Sequence, residues 1–224
     1  MSMVMYPRFQ ERYGATGDPR SLRRFVELQL DLLAETLLAG IAVLLILLPP
    51  AIGRWFPLYV DAIPPLRVML IGTYFLCLTP PAGQLLLTVR KQVRALFISV
   101  PVTALAFGAA YAGSRYGLTG VAVGVSLAFF VEFVAVNAYA LSYFCTTREI
   151  VWRIVRLAGT AVAVFAIAQA VERFVPAGPP AIAWFGGWRL LAIGLLAVPL
   201  LVRSGARIRA LQAPVSVDNA GAGR

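Results

Sequence analysis

Apolar residues in this chain fall in long blocks, and the blocks are separated by short clusters of Arg, Lys, Gly and Pro. Six blocks reach spanning length: residues 28–48, 65–89, 95–112, 118–144, 155–171 and 184–202. A hydrocarbon core of ~30 Å needs ~20 residues of helix. The pattern therefore predicts an all-α integral membrane protein with six transmembrane helices. The transmembrane domain covers 25–202, behind a basic segment at 1–24. The tail at 203–224 turns small and polar and is expected to be disordered.

Local signals sharpen these boundaries. Asp18 before Pro19 is a helix-start signal, an N-cap followed by a first-turn proline. Pro49-Pro50 are expected to end the first span, and Gly53-Arg54-Trp55-Phe56-Pro57 to form an aromatic interfacial loop. The second span carries Arg67 near one end and a Pro80-Pro81-Ala82-Gly83 break two thirds of the way along. A helix that only sat in lipid would need neither. Proline removes a backbone donor, and the freed groups must find partners inside the protein or in a wet cavity. An intramembrane arginine is costly unless it snorkels. Pro80, Pro81 and Gly83 thus predict a helix break beside a polar cavity; the simpler reading is a packing kink with an interfacial arginine. In the fourth span, residues 117, 120, 124 and 128 are small, a spacing that lets another helix approach closely.

Composition supports the membrane reading. Sixty per cent of residues are hydrophobic and only 13% are charged, against ~25% charged in soluble domains. Mean hydropathy is +0.80. The net charge of +10 raises the question of nucleic acid, but the placement of the charge answers it. With six alternating spans, fifteen of the 20 Lys and Arg fall on the side of the N-terminus, among them Arg23, Arg24, Arg90, Lys91, Arg94, Arg148, Arg153 and Arg156. The other side holds Arg54, Arg67, Arg115, Arg173 and Arg189. This asymmetry places both termini in the cytoplasm and sets the basic loops against an anionic leaflet. No nucleic acid is expected as a partner.

Candidate chemistry is sparse. There is no histidine, and Cys77 and Cys145 make no metal or disulfide framework. No nucleophile-and-base pair and no ATP-binding loop occur. The chain is not expected to be an enzyme, and no metal or cofactor is expected. Glu27, Asp31 and Glu35 are spaced by four on one helical face, with Arg23 and Arg24 in reach of the first turns. Glu132 and Asn137 sit inside the apolar fourth span, with Phe129, Phe130 and Phe133 around the glutamate. Intramembrane ionisable groups usually mark substrate or ion pathways. Arg67, Gln84, Glu132, Asn137 and Glu35 form the candidate substrate-binding set.

Several motifs resemble one family when taken in order. Tyr6-Pro7-Arg8-Phe9 with Tyr13-Gly14 and Asp18 resembles the cytoplasmic loop after the eighth span of polysaccharide flippases of the O-antigen type. These belong to the multidrug/oligosaccharidyl-lipid/polysaccharide exporter superfamily. Trp55-Phe56-Pro57-Leu58-Tyr59-Val60-Asp61-Ala62 through Leu66-Arg67-Val68-Met69-Leu70 resembles the external turn into the tenth span. Gly117-Leu118-Thr119-Gly120-Val121-Ala122 resembles the opening of the twelfth. The resemblance covers residues 5–145; the last two spans match by hydropathy alone.

The resemblance implies a transport component of the bacterial inner membrane that flips or exports lipid-linked oligosaccharide precursors. Arg67 would then face a lipid diphosphate. Family members have 12 or 14 spans in two lobes, so this chain corresponds to a C-terminal half. Alternating access needs two bundles. A missing N-terminal lobe, a second copy or polysaccharide-assembly proteins are the expected partners, with the lipid-linked substrate and membrane lipids. Two alternatives stay open. One is a cation-coupled drug antiporter component that uses Glu132. The other is a non-transporting scaffold of a polysaccharide synthase.

Overall fold

A computed structural model describes residues 13–14, 17–174, 194 and 197–205 of the chain. The described residues are helical, joined by short turns. The first basic motif, residues 6–9, and most of the sixth predicted span and of the tail lie outside the described residues.

Asp18 caps as its sequence predicts: its Oδ1 accepts from the Arg20 N–H at 2.9 Å, and a 3-10 turn over Pro19–Leu22 follows. Helix α1 then runs over Arg23–Trp55, 33 residues, or ~50 Å at 1.5 Å per residue. It does not stop at Pro49-Pro50; both prolines lie inside it. Their fixed φ suits a helix, so the chain stays helical despite two missing backbone donors and the crowding of each ring against the carbonyl four residues back. Val26, Leu30, Ala34, Leu38 and Ala42 form its buried spine at four-residue spacing.

A 3-10 turn over Pro57–Ala62 leads into α2, Ile63–Cys77, and then α3, Pro80–Thr88. The interruption falls where Pro80 and Pro81 predict it. The chain tightens there, with Leu78 N–H bonding the Phe75 carbonyl and Thr79 N–H the Leu76 carbonyl. Gly83 lies within α3, and open space surrounds the position a Cβ would take. Helix α4 spans Gln92–Ser114 and α5 spans Gly117–Leu141. Helix α6 spans Thr147–Phe174, which puts Arg148, Arg153 and Arg156 on its first turns instead of in a loop. The reason is a capping box: Thr146 Oγ1 accepts from the Glu149 N–H, and Glu149 Oε2 accepts from the Thr146 N–H at 2.8 Å.

Among the described residues, five segments are long and apolar enough to cross a membrane: α1, α2 with α3, α4, α5 and α6. Length and composition make the chain a multi-pass membrane protein. One core cluster joins Leu30, Leu38 and Leu45 of α1 with Tyr74 and Phe75 of α2, Phe133 of α5, and Leu157 and Val164 of α6. A second joins Val26 with Leu85 and Leu86 of α3, Val136 and Ala140 of α5, and Ile150 of α6. Phe75 anchors the first, its ring 4.9 Å from Phe130 and 5.5 Å from Phe133.

Helix α5 is central, packing against α2, α3, α4 and α6. The small residues of its opening do what their spacing predicts. A Cβ on Gly120 would meet the Gly113 carbonyl, and one on Gly124 would meet the Ala109 carbonyl, both on α4. On another face, a Cβ on Gly72 of α2 would meet the Ser126 side chain. Elsewhere α4 is bare. Val102 is its one buried residue, and Phe97 and Phe107 are each 74% exposed.

Candidate functional site

Arg67, Gln84, Glu132 and Asn137, inside the apolar segments, each bond across a helix junction. Arg67 is half-buried on α2, and its Nη1 donates to Gln169 Oε1 of α6 at 3.4 Å. Beside it a narrow crevice runs between α1 and α2, lined by Leu45, Leu48, Pro49, Ile63, Leu66 and Leu70. Arg67 is its only charged lining residue among the described ones. Gln84 of α3 accepts through Oε1 from Gln29 Nε2 of α1 at 3.3 Å. Gln29 is buried, and its own Oε1 has no hydrogen-bond partner among the described residues.

Asn137 is buried in α5 and serves the break. Its Nδ2 donates to the Phe133 carbonyl at 2.9 Å and to the Leu78 carbonyl at 3.4 Å. Leu78 is the C-cap of α2. A carbonyl at membrane depth thus receives a donor from a neighbouring helix, as an interrupted span requires. Around it Leu78, Pro81, Ala82 and Leu85 are all buried. Glu132 faces away from this core. Its Oε1 accepts from Ser99 Oγ of α4 at 3.4 Å, while Phe130 and Phe133 turn toward Phe75. Glu35 is half-buried on α1.

Gln84, Glu132 and Asn137 therefore each bond partners outside the candidate set. Gln84 and Asn137 sit at the broken span, Arg67 at its other end, and Glu132 on the α4–α5 face. Sequence reasoning passed over Gln29 and Ser99, which look unremarkable one at a time. Their signal is positional: each lies inside a span opposite another polar residue, and neither can stay bare in hydrocarbon.

A second polar region closes one end of the bundle. Glu27 Oε1 meets Arg23 Nε at 3.0 Å and Arg153 Nη2 at 3.2 Å. Arg23 Nη2 also meets Glu149 Oε1 at 2.9 Å, and its Nη1 donates to the Phe144 carbonyl at 3.2 Å. One turn further in, Asp31 Oδ1 meets Arg156 Nη2 at 2.7 Å. The sequence gives Arg23 and Arg24 as the partners of this acidic face. Arg23 does take Glu27, but Arg24 is exposed and the remaining cations come from α6. Glu27 with Arg153 and Asp31 with Arg156 advance together, so α1 and α6 run parallel here. Cys145 lies against this network, its Sγ donating to Glu27 Oε1 at 3.7 Å, and burial pushes its thiol pKa up.

Among the described residues no group of three or more His, Cys, Asp or Glu is placed to hold a metal ion. Comparison with family models, curated proteins and solved structures finds no match to this chain.

Proposed function

We propose that this chain is a transport component of a bacterial inner membrane that moves a lipid-linked oligosaccharide or polysaccharide precursor between leaflets. In this reading it has six spans with both termini in the cytoplasm, the sixth being residues 184–202. The observation that carries the proposal is Arg67: an intramembrane guanidinium held between α2 and α6 on a span that Pro80-Pro81 interrupts. Such a cation is costly in lipid and suits a ligand that carries phosphate. The order of motifs over residues 5–145 supports the same reading. Alternating access needs two bundles that rock against each other. The working unit would therefore include a second bundle, supplied by a further lobe, a second copy or an assembly protein.

The test is export of lipid-linked sugar in cells whose only copy is a variant. Arg67→Ala is expected to lower export strongly, and Glu132→Gln less. Unchanged export in the Arg67 variant, at equal protein level, would remove the carrying observation. A reversed order would favour the second reading, a cation-coupled antiporter component. That reading rests on the Glu132 carboxylate, which meets Ser99 at the junction of α4 and α5. A cysteine-accessibility map tests the topology: probes at positions 18 and 205 should react only from the cytoplasmic side.

A further inference from the structure

The end of the bundle that holds the α3–α4 turn carries two groups of cations, and they differ in kind. Arg23, Arg153 and Arg156 each meet a carboxylate. Arg90, Lys91 and Arg94, at the α3–α4 turn, are exposed, and among the described residues no ion pair joins any of them to a carboxylate. Arg94 turns instead toward α5, where its Nη1 donates to Tyr139 Oη at 3.3 Å. Tyr139 Oη lies 2.9 Å from Tyr143 Oη, with the rings edge to face at 5.7 Å.

Counting protons makes the cluster donor-rich. Two phenols carry two protons, and the bond between them uses one. Whichever phenol donates, the other proton stays free to point outward. Arg94 spends one N–H on Tyr139 and keeps four. A cation with spare donors, a free phenol proton and no neighbouring carboxylate calls for an anion. The backbone tells the same story. Arg90 holds φ at +58°, a left-handed position where glycine rests without strain. The turn therefore carries a charged side chain where the backbone alone would favour none.

We propose that Arg94, Tyr139 and Tyr143, flanked by Arg90 and Lys91, form a binding site for the phosphate of a membrane-lipid headgroup. Both tyrosines are half-buried among the apolar residues at the ends of α3, α4 and α5, and the spanning reading sets these helix ends where headgroups meet acyl chains. The bare apolar face of α4 starts here with Val93, Leu96 and Phe97, which gives the lipid tail a surface to lie along. Phosphate takes donors from guanidinium and phenol in a charge-assisted geometry. The inference rests on the membrane placement of the helices and not on transport, so it can fail while the export test succeeds, or the reverse.

The test is native mass spectrometry of the full chain in neutral detergent, titrated with four probes. These are a polyprenyl phosphate, phosphatidylglycerol, a diacylglycerol with the same tails, and inorganic phosphate. The two phosphorylated lipids should bind and the diacylglycerol should not. Arg94→Gln should raise their Kd about tenfold, and the double change Tyr139→Phe with Tyr143→Phe, which removes both phenol protons, about threefold. Arg24→Gln, an exposed arginine outside the cluster, should leave Kd unchanged. Preference for the polyprenyl phosphate would identify the carrier of a lipid-linked sugar as the source; equal binding would identify bulk anionic lipid. Three results would overturn the site: equal losses in the Arg94 and Arg24 variants, binding of diacylglycerol, or full displacement of lipid by inorganic phosphate at the same concentration. Should Arg94→Gln lose its helical circular dichroism, the Tyr139→Phe, Tyr143→Phe double variant, which removes two oxygens and leaves the rings in place, decides alone.

Discussion

Helix α4 tests the packing argument most sharply, because few contacts besides those with α5 hold it. The perturbation is Gly124→Ala. A methyl there would run into the Ala109 carbonyl, with the Ala110 nitrogen 3.2 Å away. Both are backbone atoms, so no rotamer change relieves the clash and the helix axes must separate by ~1 Å. A gap of ~0.5–1 Å forfeits a quarter to a half of the dispersion well along the seam. Overpacking of this kind costs ~1–3 kcal/mol. Alanine recovers up to ~1 kcal/mol through helix propensity. The net expectation is a loss of ~1–2 kcal/mol. Gly108→Ala is the matched control, since it makes the same change on α4 with nothing within 4 Å of the new methyl. It should be neutral or stabilising by up to ~1 kcal/mol. The assay is reversible unfolding in mixed detergent micelles, followed by helical circular dichroism. Equal effects of the two substitutions would refute close backbone contact as what holds α4.

Three further predictions follow from single features. Arg90→Gly should stabilise the fold by ~1 kcal/mol in the same unfolding assay, because it relieves the left-handed φ of +58°; no gain over Arg90→Ala would count against strain at the turn. A double-mutant cycle on Asp31 and Arg156 should give a coupling of ~0.5–1 kcal/mol that falls with salt, since Arg156 is 47% exposed and water screens the pair. Zero coupling at low salt would mean that register, not charge, sets the α1–α6 contact. Cys145, studied in a Cys77→Ala background, should react with maleimide through a thiolate whose midpoint lies above the ordinary ~8.5, as burial favours the neutral thiol. Because the folded value lies above the unfolded ~8.5, this thiol's contribution to stability is constant below ~8.5, falls between there and the folded midpoint, and is level above it; reactivity rises with pH through that midpoint. Glu27→Gln should lower the midpoint by removing a nearby negative charge, and a midpoint below 8.5 in the unsubstituted site would contradict the burial.

Much of this fold was legible in the chain. Five long apolar segments, the Asp18 cap, the break at Pro80-Pro81 and the small-residue face of α5 all follow from local rules of length, donor loss and side-chain size. Two boundaries were misread for physical reasons. Pro49-Pro50 are expected to stop the helix, yet it continues through them: their φ is helical, so the lost donors and the crowding of each ring against the carbonyl four residues back do not end it. Arg148 to Arg156 read as a loop because of their charge, although Thr146 and Glu149 three residues apart already spelled a capping box.

The candidate site divides in the same way. Residue type and position alone show which side chains are out of place in lipid: Arg67, Gln84, Glu132, Asn137 and Glu35. They also show which of these share a helical face, since the 3.6-residue period fixes that locally. Their partners follow from how the helices pack. Asn137 met the Leu78 carbonyl, Glu132 met Ser99, Gln84 met Gln29, and Asp31 met Arg156 rather than an arginine of its own helix. These pairings depend on the rotation and register of helices far apart along the chain. In a bilayer, lipid is as apolar as a leucine face, so hydrophobicity does not choose the rotation. Close contacts at glycine and the need to satisfy each buried polar group choose it, and both exist only once the helices have met.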